Sequence, residues 1–163
     1  PTILKEISLD KNVAYVSDAG TPGVNDPGGK LVAAALASGL TVVPVPGPSA
    51  LSAAISVCGF PMDEFVYLGF APHKKGRETF FKQVGVTQSA VIFFESTHRI
   101  EKTLDALQKT LAPERFAFVG RELTKMHETL YRGTIATVAE KLKASSLKGE
   151  FVIIISPAKF HAQ

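Results

Sequence analysis

Residues 13–29 run Val13-Ala14-Tyr15-Val16-Ser17-Asp18-Ala19-Gly20-Thr21-Pro22-Gly23-Val24-Asn25-Asp26-Pro27-Gly28-Gly29, and their reading decides the fold. Val13 to Val16 is a short apolar run of strand character, and Gly29 to Ser38 carries the apolar residues of a buried helix. A strand that empties into a long loop and then a helix is where open α/β sheets place ligands. Four glycines let this loop approach a ligand closely, and two prolines stiffen the path between them. Asp18 and Asp26 supply acceptors in a loop otherwise poor in reactive side chains. A purely structural turn would only cap the helix. Its position at a strand end points instead to a ligand site.

Working outward, the helix from Gly29 ends at Gly39, and Thr41-Val42-Val43-Pro44-Val45 reads as a buried strand. Pro46-Gly47-Pro48 is a sharp turn, and Ser49 is placed to cap a helix running to about Val57. This is the rhythm of a parallel sheet with crossover helices. Two strands are too few for such a lobe. The chain starts at Pro1, and Thr2 to Leu9 has the character of a helix tail. The expectation is that further N-terminal strands precede it.

A second rhythm follows, with a strand over 65–70 and the basic loop His73-Lys74-Lys75-Gly76-Arg77 before a helix to about Val84. Ser89 to Glu95 is a strongly apolar strand, and Ser96 is placed to cap a helix over 97–111 with Ile100, Leu104, Leu107 and Leu111 on one face. Strands are expected at 116–119 and 128–131, a helix capped by Thr134 or Thr137 running to about Ala144, and a last strand at 151–155. The fold expected is α/β and two-lobed. Residues 1–59 form part of a parallel-sheet lobe, 60–64 a linker, 65–157 a mixed-sheet α/β lobe and 158–163 a tail.

With 163 residues, 45% of them hydrophobic and 20% charged, the chain has the composition of a folded domain with a real core. A net charge of +3 is compatible with an anionic partner. The lone Cys58 excludes an internal disulfide and any cysteine-based zinc cluster, and it suits a reducing compartment. No apolar run is long enough to cross a bilayer. Cytoplasm is the expected location. The four histidines are dispersed without metal-ligand spacing, so no metal is expected.

Gly47-Pro48-Ser49-Ala50-Leu51 imitates a hydrolase nucleophile turn, but Leu51 replaces the second glycine. Ser49 is better read as a helix cap or a ligand hydrogen-bond partner. Charged residues gather at strand ends in Glu95-Ser96-Thr97-His98-Arg99 and Arg121-Glu122-Leu123-Thr124-Lys125-Met126-His127-Glu128. Ion pairing between loops accounts for any single pair. Both runs nevertheless end strands, where they would converge on one cleft. Lys74, Lys75 and Arg77 beside it would hold the phosphates of a nucleic acid.

Taken together, Ser17-Asp18-Ala19-Gly20-Thr21-Pro22-Gly23, Asp26-Pro27-Gly28, Val45-Pro46-Gly47-Pro48-Ser49-Ala50, Leu68-Gly69-Phe70, Glu95-Ser96-Thr97-His98-Arg99-Ile100 and Arg121-Glu122-Leu123-Thr124-Lys125 closely resemble the tetrapyrrole methylase superfamily. Within it they resemble the ribosomal RNA small-subunit methyltransferase I branch. The resemblance implies two α/β lobes, a homodimer, and S-adenosylmethionine (SAM) held in the cleft between the lobes. It also implies 2′-O-methylation of a cytidine ribose in small-subunit rRNA, with the rRNA or the 30S subunit as partner. The family's cofactor contacts would fall on Ala19, Gly20, Thr21, Val24, Ser49, Ala50, Glu95, Leu123, Gly149 and Glu150.

Two departures stand out. Thr97 occupies the family's usual proline in Glu-Ser-Pro-His-Arg, at a first helical turn where little should be lost. The family's N-terminal strand and its Thr-Pro-Ile-Gly-Asn loop, part of the cofactor cleft, are not in this sequence. For the chemistry, Arg99, Arg121 and Lys125 are candidates to position RNA or acidify the ribose hydroxyl, and Asp18, Glu95 or Glu122 is the candidate base. The residues do not choose among these. The alternatives are a small-molecule tetrapyrrole or precorrin methylase, against which the basic loop at 74–77 argues, and a non-catalytic dimerising module. A Ser49 hydrolase comes third.

Overall fold

The computed structural model describes residues 2–7 and 11–161, in two compact units, 1–49 and 50–163. The first holds α1 (Thr2–Ile7) and α2 (Gly29–Ala37) joined by the long loop. Helix α2 is preceded at its N-cap by Gly28, whose φ of 143° lets the chain pass close to Tyr15: a Cβ there would lie 2.8 Å from the tyrosine ring. The Tyr15 hydroxyl donates to the Pro27 carbonyl and holds this approach. At the other end the Gly39 N–H donates to the Leu36 carbonyl at 3.0 Å and the Leu40 N–H to that of Ala35 at 3.1 Å. With Gly39 at φ 73° these bonds form a Schellman stop.

The strands expected at 13–16 and 41–45 are not present as strands among the described residues; both stretches are irregular, outside any ladder. A strand exists only through bonds to a neighbour, and neither stretch has one here. Their side chains lack the cover a sheet would provide: Val16, Val43 and Val45 are 78%, 72% and 79% exposed. The α/β class rests on the second unit.

That unit is built on a five-stranded sheet of β1 (Phe65–Phe70), β2 (Ala90–Ser96), β3 (Phe116–Arg121), β4 (Thr129–Thr134) and β5 (Glu150–Ile155). Their order is β1-β2-β5-β3-β4, with β1 parallel to β2 and the other pairs antiparallel. Strand alternation divides the core. Val91, Phe93, Ala117, Val119, Phe151, Ile153 and Ile155 face α4 (Arg77–Val86), α5 (Ile100–Thr110) and α6 (Ile135–Lys143). Ile92, Phe118, Val152 and Ile154 face the other way, toward Ala54 and Cys58 of α3 (Ala50–Cys58). Fully burying each Val, Ile or Phe side chain among these contributes about 1.5–3 kcal/mol.

The face of α5 is as expected: Ile100, Leu104 and Leu107 are fully buried and Leu111 nearly so. Thr134 caps α6, its hydroxyl accepting from the Thr137 N–H at 3.3 Å. Helix α3 packs on β5, so by its contacts it belongs with the second unit and not with the residues before it. The helix expected from Thr97 starts instead at Ile100, and Arg99 stands at its N-cap in place of Ser96. Residues 97–99 form a turn closed by the Arg99 N–H on the Ser96 carbonyl at 3.0 Å, and the Thr97 hydroxyl within it is engaged with Gly149.

Candidate functional site

In the first unit the glycine loop and the proline turn are clasped together. The Thr21 N–H donates to the Pro48 carbonyl at 2.9 Å. Gly20, at φ 75°, fits only without a side chain, because a Cβ would lie 2.6 Å from the Pro48 oxygen. Gly47 abuts the Thr21 hydroxyl in the same way, at 3.2 Å. This brings Gly20 and Thr21 to the turn that precedes Ser49. Gly23, at φ 115°, is open: nothing lies within 4 Å of where its Cβ would be. Ala19, Val24, Ala50 and the Asp18 carboxylate are exposed, and Ser49 is half-buried.

In the second unit the register aligns the remaining candidates. Ser96 pairs with Glu150, and Arg121 pairs with Phe151 and Thr129. The C-terminal ends of β1, β2 and β3 and the start of β5 therefore share one end of the sheet, where α/β folds present their ligand-binding loops. An open hollow of about 410 Å³ lies at the opposite end, lined by Pro61, Asp63, Glu64, Gln88, Ser89, Pro157 and Lys159. It contains none of the candidates.

Glu95 is the buried centre of one group. One carboxylate oxygen accepts from the Ser96 N–H at 2.8 Å and pairs with the Arg99 guanidinium, whose Nε lies 2.8 Å away and donates to the Ser96 hydroxyl at 3.0 Å. The other accepts from the Thr103 hydroxyl at 2.6 Å and faces the Arg77 guanidinium at 3.5 Å. Arg77 donates to Thr103 at 2.6 Å and to the Pro72 carbonyl at 2.9 Å, and it lies 4.9 Å over the Phe81 ring. Arg99 reaches the Ala71 carbonyl at 2.7 Å. The network ties the loop after β1 to the end of β2 and to α5. Arg77 and Arg99 are turned inward, which leaves Lys74 and Lys75 as the exposed cations of the basic loop. Thr103 went unread in the sequence. Its signal was a hydroxyl on the buried face of α5, next to Leu104.

The second group surrounds the loop after β3. Glu122 and Thr124 hold φ values of 50° and 64°, a region that a β-branched residue rarely enters. The Glu122 carboxylate accepts from the Glu150 N–H at 2.8 Å and from Lys125 Nζ at 3.1 Å, and Lys125 also donates to the Glu150 carboxylate at 2.9 Å. The Glu150 N–H first, then Lys125, holds the Glu122 carboxyl below its ordinary pKa. Glu150 and then Glu122 raise that of Lys125. Thr97 Oγ1 lies 2.7 Å from both the N–H and the carbonyl oxygen of Gly149. Arg121 donates to the Lys148 carbonyl at 2.6 Å and that of His127 at 3.0 Å. Leu123 is half-buried and packs against the α3-side core. Among the described residues no group of three or more His, Cys, Asp or Glu is placed to hold a metal ion, and no helix is long and apolar enough to cross a membrane.

Residues 2–139 match the family described as Tetrapyrrole (Corrin/Porphyrin) Methylases. The chain belongs to this family. One relative, the ribosomal RNA small subunit methyltransferase I of Mesorhizobium japonicum, is 42% identical over 164 residues, which cover 99% of this chain and 56% of the relative. The chain spans a little over half the length of the first relatives it matches. By shape it is similar to the methyltransferase CobJ, with a TM-score of 0.70 and 20% identity over 99% of this chain and 71% of that one. The uroporphyrin-III C-methyl transferase from Thermus thermophilus, solved with S-adenyl homocysteine, has a TM-score of 0.55 and 18% identity over 84% of this chain and 62% of that one. At these identities the likeness is one of fold.

Proposed function

We propose that this tetrapyrrole methylase chain is part of a SAM-dependent methyltransferase of small-subunit rRNA. In this reading it methylates the ribose 2′-hydroxyl of a cytidine and works in the cytoplasm as a homodimer. One observation carries the reading: 42% identity to a relative named for small-subunit rRNA methylation, over an alignment that covers 99% of this chain. In the first unit Ala19, Gly20, Thr21, Val24 and Ser49 would hold the cofactor, with Ala50 at the start of α3 beside them in sequence. The uncharged backbone around Gly23 is free for close approach and suits the methionine part better than a polyphosphate. In the second unit Leu123, Gly149 and Glu150 would contribute. Glu95, fully enclosed, would act by fixing the loops around it.

When bound, the cofactor supplies an electrophilic methyl group on a sulfonium. The protein's task is then to align the ribose hydroxyl and accept its proton. Lys74 and Lys75 would hold phosphates, and Arg99 and Arg121 would fix the loop backbones they already grip. Lys125, kept protonated by two carboxylates, would present positive charge. Glu122 is held anionic with lowered basicity and Glu95 has both oxygens occupied, so the exposed Asp18 is the least encumbered candidate base.

The test uses the full-length protein with label in the SAM methyl group, offered isolated 30S subunits or a precorrin. Label recovered as 2′-O-methylcytidine supports the reading. Transfer to the precorrin alone overturns it in favour of a small-molecule methylase. Calorimetry with SAM on the 163-residue chain separates a binding-competent chain from a non-catalytic dimerising module.

A further inference from the structure

Strand β1 does not run regularly to its end. Leu68 packs with the helix-covered core, and an unbroken alternation would send Phe70 to that same face. Tyr67 pairs with Ile92 and Phe70 with Phe94, so three residues of β1 advance against two of β2. This is a bulge, and Gly69 within it holds a φ of 68°. The extra residue turns Phe70 to the face shared by Tyr67 and Phe94. The Phe94 ring then meets Tyr67 at 5.4 Å and Phe70 at 5.5 Å, edge to face in both cases. Tyr67 and Phe94 are half-buried and back the shelf, whereas Phe70 stands 51% exposed at the sheet edge.

The chain leaving Phe70 is anchored. The Ala71 N–H donates to the Phe94 carbonyl at 3.2 Å, Arg99 holds the Ala71 carbonyl, and Arg77 holds that of Pro72. Lys74 and Lys75 follow at once, exposed, and chain length keeps the Cα of Lys74 within about 14 Å of that of Phe70. An exposed ring on a rigid support beside two cations is complementary to a strand that carries anionic phosphates and unstacked bases.

We propose that Phe70, supported by Phe94 and Tyr67, is a stacking platform for one unpaired nucleobase of the RNA whose phosphates Lys74 and Lys75 hold. The proposal rests on the rRNA reading above. It adds a contact to the base beside those to the phosphates.

The chain contains no tryptophan, so Phe70→Trp introduces a single indole at the shelf. Binding of a fluorescein-labelled, unstructured RNA of about ten nucleotides is followed by anisotropy across a salt series. Phe70→Ala is expected to weaken binding about tenfold with the salt slope unchanged. The Lys74→Gln/Lys75→Gln double variant should flatten the slope. Phe70→Trp should keep the affinity and show quenched emission at saturation. Phe70→Leu, which preserves apolar packing, should bind as weakly as Phe70→Ala.

Parental affinity in Phe70→Ala or Phe70→Leu overturns the proposal, as does an unquenched indole in Phe70→Trp. If Phe70→Ala dissociates a dimer in sedimentation while RNA affinity holds, the shelf is a contact between copies and the proposal fails. A parent chain that binds no RNA overturns both this proposal and the rRNA reading. Binding by the parent that ignores Phe70 overturns this one alone.

Discussion

Replacing Glu95 by alanine tests whether its carboxylate is the anchor of the second unit's loops or a contact for a ligand. The side chain is fully buried, and the Arg99 and Arg77 side chains around it are 14% and 18% exposed. Truncation leaves two nearly enclosed guanidinium groups without their shared counter-charge. Removing one partner of a buried ion pair costs about 3–5 kcal/mol. Both guanidiniums keep carbonyl acceptors, at Ala71 and Pro72, which sets the expected loss near the lower end, about 3 kcal/mol. With a urea dependence of about 2 kcal/mol per molar, the unfolding midpoint falls by about 1.5 M. Glu95→Gln keeps the shape and loses the charge, for about 2 kcal/mol. The assay is urea unfolding at neutral pH followed by circular dichroism. A double-mutant cycle of Glu95→Gln with Thr103→Val should return a coupling of about 1 kcal/mol. A midpoint shift in Glu95→Ala below about 0.5 M, or stability unchanged with SAM binding lost, would refute the anchoring role.

Three further outcomes are expected. Gly20→Ala forces a Cβ into the Pro48 carbonyl at a positive φ and should open the clasp between the glycine loop and the proline turn, read as faster amide exchange at Thr21. Thr97→Val removes the hydroxyl from the Gly149 N–H and carbonyl and should cost about 1 kcal/mol in urea unfolding. The stability contributed by Glu122 is present above its unfolded pKa and is lost as pH falls through its lower folded one. Glu122→Gln should therefore flatten the acid limb of a stability–pH curve below the ordinary carboxylate value of 4.5.

The second unit was legible because its elements announce themselves locally. The α5 stripe of Ile100, Leu104 and Leu107 and the run Phe151 to Ile155 became the buried helix face and strand that their patterns require. Whereas Gly149 and Glu150 at the start of β5 came from the family resemblance, the candidate residues at the ends of β2 and β3 were visible as charged runs after apolar ones. What they bond to was not, because it depends on register across 25 to 52 residues, as in the contacts of Glu150 with Lys125 and of Gly149 with Thr97. Val13 to Val16 and Thr41 to Val45 have strand composition, but composition does not provide a pairing partner. The bulge at Gly69 was equally hidden. A single glycine in a strand does not reveal which face the next residue will take.

The place of β5 in the sheet has a consequence for biosynthesis. It is the last of the five strands to leave the ribosome, yet it lies in the middle, bonded to β2 on one side and β3 on the other. Until residues 150–155 emerge, the β1-β2 pair and the β3-β4 hairpin each expose a bare apolar edge. Their joining is a late, long-range step, of the kind that makes mixed sheets slow to fold and prone to pair with the wrong strand. A nascent chain halted before Glu150 would present two half-sheets to chaperones, and residues 150–155 decide whether those halves join into one sheet or pair with the wrong strand.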